Sequence, residues 1–339
     1  MKPKEQAPWY GYHITIKAKR QSRKLAAIFY RAGEESGLHG YVKRASHVYM
    51  CSDVVAVQDG KVVVQWHCRE RLCPLCAIAE SRKVASNARL VLDRACSDEQ
   101  LKPYMLTLTQ KNCNASELPE RLSDMLKSWD AITHGMRKAR QYVKGYARTI
   151  EITVGRDGLY HPHMHAIMLM TQDAPRDMTR ARFWALLWQK GMHTQRYQGD
   201  IVPICDIRPI RSNPRKGLPS EAAAAAEVAK YTAKSASILS HAHAYEHIIA
   251  IDTAINGRKL RSYGGIWRTI RAQLKLEDAV DDSAIDSESL LDVPVDVWKW
   301  AGVDVGYSLI GNTRYLKRFE GRYRACNIGR SHEKAENDL

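Results

Sequence analysis

The run His161-Pro162-His163-Met164-His165-Ala166-Ile167-Met168 constrains this chain more than any other segment. In a strand, alternate residues share a face, so His163 and His165 point one way while Met164 points the other. Two imidazoles on one face are half of a divalent-metal site. Further along, Glu227-Val228-Ala229-Lys230-Tyr231-Thr232-Ala233-Lys234 follows an alanine-rich run that favours a helix. Glu227 and Tyr231 then stack at i and i+4, and Lys234 lies one turn on. A carboxylate, a phenol and an ammonium on one helix side are what phosphoryl transfer to a tyrosine requires.

The bulk composition agrees with such chemistry. The chain has 52 Lys and Arg against 37 Asp and Glu, a formal charge of +15, which favours a polyanionic partner such as nucleic acid over an ordinary basic soluble protein. With 339 residues and 45% apolar content it can bury a core of ordinary size. It has no apolar run long enough to span a membrane and no amino-terminal apolar signal, so a bacterial cytoplasmic location is expected. No G-x-G-x-x-G or G-x-x-x-x-G-K-[ST] loop is present, which removes support for Rossmann or P-loop nucleotide binding.

Reduced cysteines are expected in that compartment. Cys73-Pro74-Leu75-Cys76 is a C-x-x-C knuckle, and Cys68 and Cys51 are close enough in sequence to complete a tetrahedral zinc site, with His67 as a spare ligand. A redox pair is the competing reading of the knuckle. Cys96, Cys113, Cys205 and Cys326 lack ligand spacing and read as buried apolar residues.

Patterning predicts strands over 104–110, 148–154, 163–170 and 201–210, and helices over 116–142, 179–190 and 219–240. Strands paired antiparallel with helices between them give an α+β class, the helices packed on one face of the sheet. The expected segments are a basic amino-terminal arm over 1–44, a cysteine-rich zinc segment over 45–100, a domain carrying the histidine strand over 101–275, an acidic linker over 276–297 and a small carboxy-terminal element over 298–339. His241-Ala242-His243 with His247 falls where a helix is expected to continue, and reads as a solvated face.

Strand geometry tests the metal site. A three-residue loop after Gly155, with Gly158 left-handed, sets Gly155 opposite Leu159 and Glu151 opposite His163. Glu151, His163 and His165 then share a face as one carboxylate and two imidazoles. A two-residue turn points Glu151 away, Pro162 threatens the register, and His161 is an alternative ligand. Tyr231 has a competing role as a core residue, but the helix face opposite it is already lined by alanines.

These residues together resemble the single-tyrosine rolling-circle plasmid replication initiators of the His-hydrophobic-His (HUH) endonuclease superfamily. The resemblance rests on Cys68-Arg69-Glu70-Arg71-Leu72-Cys73-Pro74-Leu75-Cys76, the strand Leu106-Thr107-Leu108-Thr109, the histidine strand and the Glu227-xxx-Tyr231-xx-Lys234 segment, and covers about residues 45 to 268. It implies a nuclease fold of the ferredoxin-like kind that nicks one strand of a double-strand origin. Tyr231 would be the nucleophile. His163 and His165, with Glu151, would hold Mg²⁺ or Mn²⁺; Cys51, Cys68, Cys73 and Cys76 would hold Zn²⁺. Glu227 would activate water for the terminating cut, and Lys234 would steady the phosphate. Origin DNA, a host helicase and a second copy of the chain are the implied partners. A relaxase or single-strand transposase of the same superfamily, and a non-catalytic zinc DNA-binding regulator, are the alternatives.

Overall fold

A short loop fixes the register on which the site depends. The computed structural model describes residues 9–135, 139–194, 203–210, 235–276 and 295–313. Strand β4 (Val143–Val154) turns into β5 (Tyr160–Met170) through Arg156-Asp157-Gly158. Gly158 takes φ 76°, a left-handed conformation open to glycine at no steric cost, and its N–H closes the turn on the Gly155 carbonyl at 3.1 Å. Gly155 N–H in turn donates to Leu159 at 2.9 Å. The register that follows sets Glu151 opposite His163 and runs without a shift from Gly145 to Val154. Pro162 lies one residue beyond the last pair that β5 makes with β3 (Lys102–Thr109), so it interrupts no pairing there.

The chain divides into two compact units, residues 80–278 and residues 1–79 with 279–339. In the first, β6 (Cys205–Pro209) and β7 (Arg261–Gly265) complete an antiparallel sheet of order β6-β3-β5-β4-β7. The class is α+β, as expected. The helices, however, divide between the two faces of this sheet rather than sharing one. Ala147, Ile167 and Leu169 on one face are covered by Val84, Ala88, Val91 and Leu92 of α3 (Pro74–Ser97) and by Trp267 and Ile270 of the helix Ile266–Gln273. On the alternate face, Tyr146 meets Trp129 of α4 (Leu118–Gly135) with ring centroids 5.0 Å apart. There too Trp188 of α5 (Ala181–Thr194) is buried and donates to the Thr109 carbonyl. Apolar residues on both faces of the central strand demand two layers of cover.

The second unit departs from the expected arm and appendage. Residues 12–36 form a long helix, α1 (Tyr12–Ser36), followed by α2 (His39–Met50), because Ala18, Leu25, Phe29 and Ala32 recur at helical spacing and bury one face. Strands β1 (Val54–Gln58) and β2 (Lys61–Gln65) form a hairpin over Asp59-Gly60, whose φ values of 48° and 69° define a tight turn that suits strand twist. Against β1 lies β8 (Val295–Gly302), and against β8 lies β9 (Gly306–Thr313). The described part of the expected carboxy-terminal element is therefore half of this sheet. Its core is aromatic: Trp9 packs against Trp298 and Tyr307, with Val55 and Val57 beneath. No described helix is long and apolar enough to cross a membrane.

Candidate functional site

Along one face of β5 the residues change character from Ile167 and Leu169, which are buried, to His161, His163 and His165, which are partly exposed. The same face of β4 changes from Ala147 to Thr149 and Glu151. Among the described residues the helices cover the apolar end, and the imidazoles stand at the other end of the central strand, partly exposed. His165 is held from both sides. Its Nε2 lies 3.1 Å from Glu151 Oε2 and its Nδ1 3.2 Å from Thr107 Oγ1 on β3. Glu151 is buried, only 4% exposed. A carboxylate oxygen and a ring nitrogen about 3 Å apart match one edge of an octahedron around a cation with bonds of about 2.1 Å.

The His163 ring is on the same face, 6.3 Å from that of His165. Among the described residues the four-cysteine set is the one group of three or more such donors with all ligand atoms within 4.8 Å of one another. The donor atoms of Glu151, His163 and His165 are therefore not all within that distance of one another. His161 instead faces Asp157, at 3.8 Å, and so belongs to the hairpin tip.

The cysteine set is already gathered. Cys51, Cys68, Cys73 and Cys76 come from the α2–β1 link, the loop after β2 and the start of α3. Their sulfurs are 3.7 Å apart for Cys51 and Cys76 and 3.5 Å for Cys68 and Cys76. Four thiolates around zinc with bonds of about 2.3 Å have edges of about 3.8 Å, so the donors fit that ion. Burial opposes ionisation of Cys51, but hydrogen bonds from Cys68, Cys73, Cys76 and His67 outweigh it and hold its pKa well below the usual thiol range. The contact with Cys51, above all, pushes Cys68 and Cys76 up.

Buried support surrounds the set. Lys19 of α1 is fully buried, and its Nζ donates to the Tyr49 and Cys51 carbonyls and pairs with Asp53 at 2.6 Å. Tyr307 donates its hydroxyl to Ser52 O, and Trp300 N–H donates to Asp53 O, so β8 and β9 also grip the Cys51–Asp53 loop. Neither Lys19 nor Thr107 stands out in the sequence. Thr107 carries a weak signal, an oxygen at an alternate position of a strand that pairs with the histidine strand.

Tyr231, Glu227 and Lys234 lie outside the described residues. The remaining histidine cluster differs from the expected solvated face. The helix does not continue through it; a new helix, Ala244–Ile255, starts after His243. His247 is buried and its Nδ1 meets Tyr160 Oη at 2.9 Å. Burial, then His241 and His243, lower the His247 pKa, and burial pushes the Tyr160 hydroxyl up to about 12. Of the cysteines expected in the core, Cys113 is buried, Cys96 and Cys205 are half-buried, and Cys326 lies outside the described residues.

A four-thiol centre in one unit and a carboxylate–imidazole strand in a five-stranded antiparallel sheet define an α+β protein with two separate donor sets. Residues 59–302 match the replication protein family. Protein rep of Lentilactobacillus hilgardii is 30% identical over 276 residues, 76% of this chain and 86% of that one. Protein rep of Lactiplantibacillus plantarum is 33% identical over 250 residues, 70% of this chain and 76% of that one. Protein rep of Bacillus amyloliquefaciens is 27% identical over 287 residues, 78% and 83% of the two chains. No solved structure matches. The chain belongs to the replication protein family.

Proposed function

We propose that this protein initiates rolling-circle replication of a plasmid by nicking one strand of its double-strand origin. The observation that carries the reading is the Glu151–His165 pair at the polar end of the central strand, with His163 on the same face. In this reading the Tyr231 phenolate oxygen attacks the scissile phosphorus. The bond from phosphorus to the 3′ oxygen breaks, the 3′ oxygen takes a proton and becomes the primer hydroxyl, and the 5′ phosphate stays esterified to Tyr231. The ester keeps the energy of the broken bond.

Glu151, His163 and His165 would hold Mg²⁺ or Mn²⁺, which when bound supplies Lewis-acid polarisation of the phosphate. Thr107 Oγ1 fixes the His165 ring through Nδ1, which leaves Nε2, beside Glu151 Oε2, free to share the ion with that carboxylate. Glu227 serves as general base for the water that ends the cycle, and Lys234 steadies the phosphate. Cys51, Cys68, Cys73 and Cys76 would hold a structural Zn²⁺. Strand separation behind the nick falls to a host helicase. A non-catalytic zinc regulator is the less favoured reading, because it gives the buried Glu151 no task.

Supercoiled origin plasmid incubated with the protein and Mn²⁺ tests this. Nicked circles with protein attached at the 5′ end are expected, and Tyr231→Phe should reduce them to background, at least about a thousandfold. Normal nicking by Tyr231→Phe removes that residue as nucleophile; no nicking by the wild type removes the activity.

A further inference from the structure

We infer that the outward face of α1 is a docking surface for duplex DNA, carried by Lys17, Arg20 and Lys24. The proposal takes its polyanion from the origin-nicking reading, but its evidence is the distribution of charge on one helix. At about 100° per residue, Ala18, Ser22, Leu25, Phe29 and Ala32 share the buried face of α1. His13, Lys17, Arg20, Lys24 and Arg31 fall on the opposite face and are all exposed. No Asp or Glu occurs between Tyr12 and Gly33.

The cations of this helix are sorted by direction. Lys19 and Arg23, which face inward or sideways, are both paired with Asp53. Arg31, near the far end, pairs with Glu35. Arg20 donates to the Val303 carbonyl, a neutral acceptor that leaves its charge uncompensated. Lys17 and Lys24 have no carboxylate partner among the described residues. Three uncompensated cations thus stand at i, i+3 and i+7, over about 10 Å of helix.

Like charges at such spacings repel and weaken a helix, so this arrangement works against the stability of α1 unless an anion lies across it. A line of phosphates is the fitting anion, and neutralising them would release counterions. The partner is duplex rather than single-stranded, because single strands are held by aromatic platforms between the cations. The outward positions 13, 17, 20, 24, 27 and 31 carry no Phe, Tyr or Trp. Shape and charge are on offer here; stacking is not.

The experiment uses the full chain and two substrates: an origin duplex, followed by fluorescence anisotropy across a salt series, and a single-stranded origin oligonucleotide, followed by cleavage in Mn²⁺. Lys17→Glu/Lys24→Glu should lose duplex affinity by about tenfold or more at moderate salt, and the slope of log affinity against log salt should fall by about two. Oligonucleotide cleavage should keep its rate. Lys17→Gln/Lys24→Gln should show a smaller loss, and thermal melting reports whether each variant is folded. A control of equal charge change, Lys61→Glu/Lys102→Glu at exposed positions off the helix, should leave duplex affinity near the wild-type value. Unchanged duplex affinity and salt slope in folded Lys17→Glu/Lys24→Glu overturn the proposal, as does an equal loss in the control. Equal loss of oligonucleotide cleavage overturns it too, because α1 would then serve the single strand. A wild type that binds duplex through α1 but cleaves neither substrate supports this surface while removing the nicking reading.

Discussion

The two donor sets are built by opposite means. The cysteines come from separate pieces of chain, yet their sulfurs are already at the spacing a tetrahedral ion needs, enclosed and braced by Lys19, Tyr307 and Trp300. The strand donors are near neighbours in two paired strands, fixed by backbone register; Glu151 and His165 are 3.1 Å apart, while the donors of Glu151, His163 and His165 are not all within 4.8 Å of one another. Enclosure with complete donors suits a structural ion, which contributes to folding. An incomplete, partly exposed set leaves positions for solvent or substrate. The first site is enclosed by the fold, whereas the second is presented by it.

Perturbing each set should therefore have unlike consequences. Cys73→Ser, or stripping the ion with a strong chelator, should unfold the unit formed by residues 1–79 and 279–339, an effect of several kcal/mol, since zinc binding and folding are one equilibrium in small metal-held units. Calorimetry should show the transition of that unit lost while that of residues 80–278 survives. Two retained transitions after full chelation would show that the aromatic core around Trp9 and Tyr307 holds the unit alone.

On the strand the expected effect is smaller and lies in function. Thr107→Val keeps the shape but removes the oxygen beside His165 Nδ1, freeing the ring to rotate. Loss of such an outer partner costs about 10- to 100-fold in metal affinity or activity. Nicking rate as a function of Mn²⁺ concentration should shift to higher metal by at least about tenfold, with the melting temperature nearly unchanged. A melting shift without a change in metal dependence would make Thr107 a packing residue only.

How much of this was legible from sequence follows the range of the interactions. The histidine face, the knuckle and the Gly158 turn are local, and period-two alternation or a single left-handed residue specifies each of them. The change from His165 to Ile167 on one face was also readable, and it predicts where cover ends. Asp59-Gly60 between two valine-rich runs is a hairpin signal of the same kind. The pairing of β1 with β8 was not readable, because nothing local in Val295–Gly302 names a partner at the other end of the chain. Division of the helices between two faces escaped for a related reason: β5 is apolar on both sides beyond Ala166, and alternation cannot assign which helix covers which side. Lys19 was hidden most completely, since its position in α1 looks like one more surface cation until Asp53 and the Cys51 carbonyl are brought to it.

The Gly158 turn offers the smallest effect and the sharpest test of what register does for the strand site. Gly158→Ala places a Cβ on a residue at φ 76°, with no neighbouring atom within 4 Å to clash with it. The cost is then backbone strain alone, about 1 kcal/mol. Melting should fall by a few degrees, while Mn²⁺ dependence and nicking rate stay at wild-type values because Glu151 remains opposite His163. Shortening the loop by deleting Gly158 is a different perturbation. A two-residue connection shifts the pairing by one, and a one-residue shift turns side chains to the other face, carrying Glu151 from the His165 side to the Ile150 side. Nicking by the deletion variant should drop to background even if the sheet survives. Retained nicking there, with Gly158→Ala also active, would mean that Glu151 reaches the imidazoles by some route other than the hairpin register, and the contrast between a site enclosed by the fold and one presented by it would have to be redrawn around His163 and His165 alone.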